Sequence, residues 1–154
     1  MADLDPRLTE TLKQLSALLT NLADDWWLFG SAAMALAGAR PTVVGDVDLL
    51  LSRADAARLL ERMELPVAPG TKSERFHSEI YGRWTQTPLD VEVLAGFRVR
   101  TEGDWREVRL RTRQPVILPF ATFYVPEVAE MIELCRLFGR TKDREREQLL
   151  RRLL

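Results

Sequence analysis

Phe29-Gly30-Ser31-Ala32-Ala33 and, across a 14-residue spacer from Ser31, Asp46-Val47-Asp48-Leu49 decide how this chain folds. Trp26 to Phe29 is a short apolar run that suits a buried strand, and Gly30-Ser31 ends it. The small, alanine-rich segment Ala32 to Arg40 then reads as a helix, stopped by Arg40-Pro41. Val47 to Leu51 predicts a second strand with Asp46 and Asp48 set in it. Upstream, Leu8, Leu12, Leu15, Leu18, Leu19 and Leu22 recur at helical spacing after Asp5-Pro6, an N-cap with proline at the first helical position. Downstream, Ala54 to Arg62 predicts a helix with Leu59 and Leu60 inward. Ser73 to Thr85 reads as a hairpin turning at Tyr81-Gly82, and Leu89 to Leu94 alternates as a strand. Trp105 to Leu110 and Pro115 to Leu118 are further β-rich pieces. From Pro126 the spacing is helical as far as Gly139, and a last charged helix spans about Thr141 to Leu153. The order predicts an α+β (α/β) fold: a mixed sheet with flanking helices and a C-terminal helical pair. No linker divides it, so residues 1–154 are expected to form one domain, 1–125 a core and 126–154 the closing helices.

Composition narrows the chemistry. The 154 residues are 46% hydrophobic and 29% charged, with 22 Lys and Arg against 23 Asp and Glu, for a net charge of −1. That balance argues against a dedicated duplex-DNA binder. A single cysteine, Cys135, and a single histidine, His77, leave no disulfide framework and no Cys/His zinc site. Carboxylates, hydroxyls, backbone amides and basic side chains are then the available carriers of reactivity. The acidic, amphipathic N-terminus does not read as a signal peptide and no run suits a membrane helix, so a cytoplasmic protein is expected.

Asp46 and Asp48 are two apart on a strand and project from one face, about 6–7 Å apart along the chain. Carboxylates that close repel unless a cation, a basic partner or protonation relieves them. A hard dication such as Mg²⁺, shared with substrate phosphates, is the natural relief. The Gly30-Ser31 turn, where a strand enters a helix, offers backbone N–H groups to a phosphate. Asp90 and Glu92, opposite the apolar face of Leu89, Val91 and Val93, supply a further acid.

These residues resemble the nucleotidyltransferase signature of the DNA polymerase β-like superfamily: hydrophobic–Gly–Gly/Ser, a spacer, then Asp–hydrophobic–Asp/Glu–hydrophobic. Phe138-Gly139-Arg140-Thr141-Lys142-Asp143 is similar to the Gly-Arg-x-Lys-Asp element of small bacterial members, including the toxin-like AbiEii group. The resemblance covers nearly the whole chain. It implies a nucleotidyltransferase fold and metal-dependent transfer of a nucleoside monophosphate from an NTP, such as ATP, to an acceptor hydroxyl, releasing pyrophosphate. It further implies that Gly30 and Ser31 contact the triphosphate and that Asp46, Asp48 and a third acid hold two Mg²⁺ ions. Glu92-Val93-Leu94-Ala95-Gly96-Phe97 fits the third acid's usual setting and favours Glu92, with Asp90 as the alternative. Lys142 is expected to reach a phosphate or to pair with an acid near the site. The spacer is longer than the family's usual one. Three residues rather than one separate Arg40-Pro41-Thr42 from Asp46, which implies a bulged entry to the strand.

The acceptor stays open among tRNA, protein and a small molecule such as an antibiotic, met by the C-terminal helices or by a second subunit in an oligomer. Two other readings share the fold: a catalytically inactive nucleotide-binding or regulatory module, and the toxin of a toxin–antitoxin pair. Plainer roles stand beside the specific ones. Gly30-Ser31 can serve as a helix cap, and Lys142 can belong to a solvated face with Arg140, Arg144 and Arg146. His77 reads as a surface loop residue, Trp26 and Trp27 as core and wall, and Cys135 as a small buried hydrophobe. Arg98, Arg100, Arg106, Arg109, Arg111 and Arg113 form the one basic region, read as solvent-facing strand positions or as an acceptor site.

Overall fold

Asp5 and Pro6 start the first helix, α1 (Pro6–Ser16). The Asp5 carboxylate accepts the Arg7 N–H at 2.9 Å, and Pro6 occupies a position where no N–H is needed. Leu8, Leu12 and Leu15 form its buried stripe. Thr11 is also buried: its hydroxyl donates to the Arg7 carbonyl and accepts the Leu89 N–H at 3.0 Å, which ties the helix to the sheet. The helix stops at Ser16 rather than running on to Leu22, although Leu19 still reaches the core from the turns that follow.

The protein was analysed as a computed structural model, which describes residues 4–40 and 42–154. After α1 come β1 (Trp27–Phe29), α2 (Gly30–Leu36), β2 (Asp46–Leu50), α3 (Arg53–Arg62), β3 (Ala68–Ser73), β4 (Phe76–Trp84) and β5 (Asp90–Thr101). The chain continues through β6 (Asp104–Glu107), β7 (Gln114–Ile117), β8 (Thr122–Val125), α4 (Val128–Phe138) and α5 (Thr141–Arg151). The main sheet runs β1-β2-β5-β4-β3, with β6 added to the far end of β5, and β7 and β8 form a separate pair. β2 and β5 are parallel, and the other pairs are antiparallel. This is the expected mixed-sheet α+β architecture, with α4 and α5 as the closing helical pair. Pro41, on which the expected helix break and bulged strand entry depend, lies outside the described residues.

Each face of the sheet has its own core. Leu28, Val47, Leu49, Val91 and Val93 point to one side and pack with α1, α2, α3 and parts of β8 and α4. Phe29, Leu50, Leu94, Phe97 and Val99 form a second cluster, closed by Phe138 at the end of α4. Ala95 belongs to the first cluster and Phe97 to the second, so the in–out alternation of β5 slips by one residue at Gly96, whose φ is +59°. No helix among the described residues is long and apolar enough to cross a membrane.

The hairpin expected at Tyr81-Gly82 is not there. β4 runs straight through both residues, and its turn lies at Glu74-Arg75, between β3 and β4. Gly82 serves packing instead: a Cβ at this position would stand 2.3 Å from Leu60 Cδ2, so its small size lets α3 lie on the strand. His77 accordingly sits on a strand rather than in a loop, with its ring edge-on to Trp105 at 6.1 Å. The strands β3 and β8 are additions to the pattern read from the sequence.

Candidate active site

Strand registry builds the site. β1 pairs with β2 so that Phe29 faces Asp48, which leaves Gly30, the next residue, beside the Asp48 carboxylate. The parallel pairing of β2 with β5 sets Asp48 beside Glu92 and Asp46 beside Asp90. β4 then places Arg83 opposite Glu92. One row across four strands reads Phe29, Asp48, Glu92, Arg83.

Asp46, Asp48 and Glu92 each turn a carboxylate oxygen into a common space, with the three oxygens within 4.8 Å of one another. Glu92 is fully buried, and Asp46 and Asp48 are partly so. Among the described residues, no hydrogen-bond donor reaches the buried atoms Asp48 Oδ1 and Glu92 Oε2, although both residues have other partners. Asp90 stays outside this group. Its Oδ2 accepts from Arg83 Nε at 2.9 Å and lies 2.8 Å from Arg83 Nη2. Arg83 Nη1 reaches Glu92 Oε1 at 3.4 Å. Asp90 pushes the Arg83 guanidinium further above its ordinary range.

Gly30 has two reasons to be glycine. Its φ is +69°, and a Cβ there would stand 2.7 Å from Asp48 Oδ2. Ser31 follows as a buried residue in the first turn of α2. A cleft continues from Asp48 and Glu92 past Phe97 and Phe138, with Arg140 and Arg146 in its wall. The Gly139 to Asp143 element makes the corner between α4 and α5. Gly139 ends α4 at φ +64°, and Asp143, itself buried, accepts the Arg140 backbone N–H at 3.1 Å and its Nε at 2.6 Å. Lys142 stands exposed on the first turn of α5.

The other singled-out residues take plainer places. Trp26 is buried edge-on to Phe123 and Tyr124, and Trp27 Nε1 donates to the Thr112 carbonyl at 2.8 Å. Cys135 is buried, and desolvation pushes its thiol up to about 11. In the arginine-rich segment Arg98 pairs with Glu79, Arg109 with Glu107, Arg111 with Glu133 and Arg113 with Asp25. Most of that positive charge is thus met by neighbouring acids.

The donor set suits a divalent cation. Three clustered oxygen donors, one on a fully buried residue, match the preference of hard ions such as Mg²⁺ for carboxylate oxygen. They lack the nitrogen and sulfur that zinc favours.

The architecture has known counterparts. The chain is similar to TM1012 from Thermotoga maritima, a provisionally assigned nucleotidyltransferase, with 22% identity over 93% of this chain and 91% of that one and a TM-score of 0.74. It is also similar to ANT(2″)-Ia, solved in complex with adenylyl-2″-tobramycin, at 12% identity, 95% and 88% coverage and a TM-score of 0.55. No protein-family model matches the chain, and no curated protein matches it. At these identities the likeness defines the fold: this chain has the nucleotidyltransferase fold, with an acid cluster built on its central strands.

Proposed function

We propose that the protein is a nucleotidyltransferase that moves a nucleoside monophosphate from an NTP to an acceptor hydroxyl and releases pyrophosphate. The observation that carries this reading is the convergence of Asp46, Asp48 and Glu92 within 4.8 Å, on neighbouring strands of this fold. Asp46, Asp48 and Glu92 would hold the metal. When bound there, Mg²⁺ supplies charge neutralisation on the triphosphate and acidifies the acceptor hydroxyl.

The chain's own contribution is placement. Gly30, free of a side chain, lets the triphosphate approach the acids, and the Gly30-Ser31 backbone faces it at the start of α2. Lys142, exposed at the entry to α5, would be the side chain to reach a phosphate. The acceptor oxygen attacks the α-phosphorus in line, the bond from that phosphorus to its bridging oxygen breaks, and pyrophosphate leaves. The hydroxyl proton passes to the carboxylate cluster or on to solvent. In this reading residues 1–154 act as one catalytic unit, with 126–154 as helices that wall the cleft. The narrower kinship with small AbiEii-like members rests on the Gly139-Arg140-Thr141-Lys142-Asp143 element. A cytoplasmic setting, where NTPs and Mg²⁺ are plentiful, suits this chemistry.

Pyrophosphate release from each NTP with Mg²⁺, in the presence of cell extract as a source of acceptors, tests the reading. Labelled nucleotide identifies what is modified. Asp46→Asn and Asp48→Asn are each expected to abolish transfer while the circular dichroism spectrum stays that of the wild type. Full activity in either variant overturns the proposal.

A further inference from the structure

Resting on that reading of the acid cluster, we infer that Arg83 is a positioning residue for Glu92 and that Asp90 serves by anchoring Arg83 rather than by binding the metal. Arg83 spans the two acids of β5. Its Nε and Nη2 hold Asp90 Oδ2 at 2.9 and 2.8 Å, and its Nη1 reaches Glu92 Oε1 at 3.4 Å. The antiparallel register sets its backbone directly opposite Glu92, so the contact is built into the sheet.

The division of labour follows from charge and geometry. Three carboxylates in one small space repel, and Glu92, the longest of them, has the most rotamer freedom with which to turn away. A planar guanidinium fixed at its outer oxygen restrains that side chain and leaves the other oxygen for the cluster. An unanchored arginine would swing into the cluster and compete with a bound cation. Asp90 prevents this: it takes two of the arginine's donors and cancels its charge. The Asp90–Arg83 pair is neutral overall, so a cation in the cluster still meets the charge of three acids. Outer partners of this kind typically set metal affinity by roughly 10–100-fold.

The test is direct binding of Mn²⁺, as a probe for Mg²⁺, to the full chain by isothermal titration calorimetry. The variants are Arg83→Met, Asp90→Asn, their double mutant, and Glu92→Gln, each first shown by thermal melting to be folded. Arg83→Met is expected to weaken Mn²⁺ binding by roughly 10–100-fold, and Asp90→Asn to weaken it less. The double mutant is expected to match Arg83→Met alone, because Asp90 acts only through Arg83. Wild-type affinity in Arg83→Met overturns the inference. So does a loss in Asp90→Asn that equals that of Glu92→Gln and persists in the Arg83→Met background, since Asp90 would then be a ligand itself. If the wild type binds no Mn²⁺, the proposed metal cluster and this inference fall together. If it binds and Arg83→Met leaves binding unchanged, only the inference falls. Should Arg83→Met fail to fold, Arg83→Gln, which keeps a hydrogen-bonding head without the charge, is read by the same criteria.

Discussion

At the scale of single residues, Gly30 joins a backbone requirement to close packing against an acid of the candidate site. Its φ of +69° strains any side chain, and an added Cβ would stand 2.7 Å from Asp48 Oδ2, so that carboxylate would have to move. Gly30→Ala is expected to cost about 1–3 kcal/mol of stability from backbone strain. It should also displace Asp48, so transfer should fall far more than the melting temperature suggests. Paired measurements of unfolding free energy and pyrophosphate release check this, and a variant with normal turnover would show that Asp48 tolerates the shift. Asp46 and Asp48 are legible from sequence because strand periodicity alone places both on one face. Arg83 is not legible in that way. Its two partners come from the register between β4 and β5, which no local pattern encodes. Which acid of β5 stands beside Asp48 turns on another long-range register, the parallel pairing of β2 with β5.

At the scale of elements, the strands near the site and the helices around them were readable wherever periodicity and end signals agreed. Asp5-Pro6 opens α1, and Gly139 closes α4 through its left-handed conformation. The failure at Tyr81-Gly82 has a physical cause. Glycine serves turns by its conformational freedom, but here it serves by its size, beneath Leu60. A tertiary contact decided the matter. Asp55 shows the same dependence on distant partners. It is fully buried in the first turn of α3 and accepts the Ala23 and Asp24 N–H groups at 3.0 and 2.8 Å, anchoring the segment that leads into β1. Asp55→Ala is expected to destabilise by about 1–3 kcal/mol for each donor left unsatisfied. Chemical denaturation measures the loss, and a change within 0.5 kcal/mol would mean that water replaces the carboxylate.

At the scale of the whole molecule, surface ion pairs give the protein an acid-sensitive margin. Arg53 holds the Glu79 carboxyl below its ordinary value near 4.5, and Arg151 does the same for Glu147. Depressed folded-state values mean stability that is fully present above about pH 4.5 and is lost as the pH falls through the lower, folded values. Melting temperature is therefore expected to be flat above that pH with respect to these groups and to decline below it. Added salt should shrink the contribution of such exposed pairs. A melting temperature that holds steady down to pH 3 would show that the pairs contribute nothing.

The parallel pairing of β2 with β5 bears on how the molecule comes into being. Its two acidic strands flank α3, β3 and β4 in the chain, so no short fragment contains the whole cluster. Long-range parallel contacts form late, after the intervening loop has been closed at an entropic cost. During synthesis, a nascent chain that has not yet delivered β5 past the ribosome carries Asp46 and Asp48 but has no pocket to set them in. The three-acid cluster should therefore assemble in one step as the sheet closes, and a half-made chain carries its aspartates without their third partner.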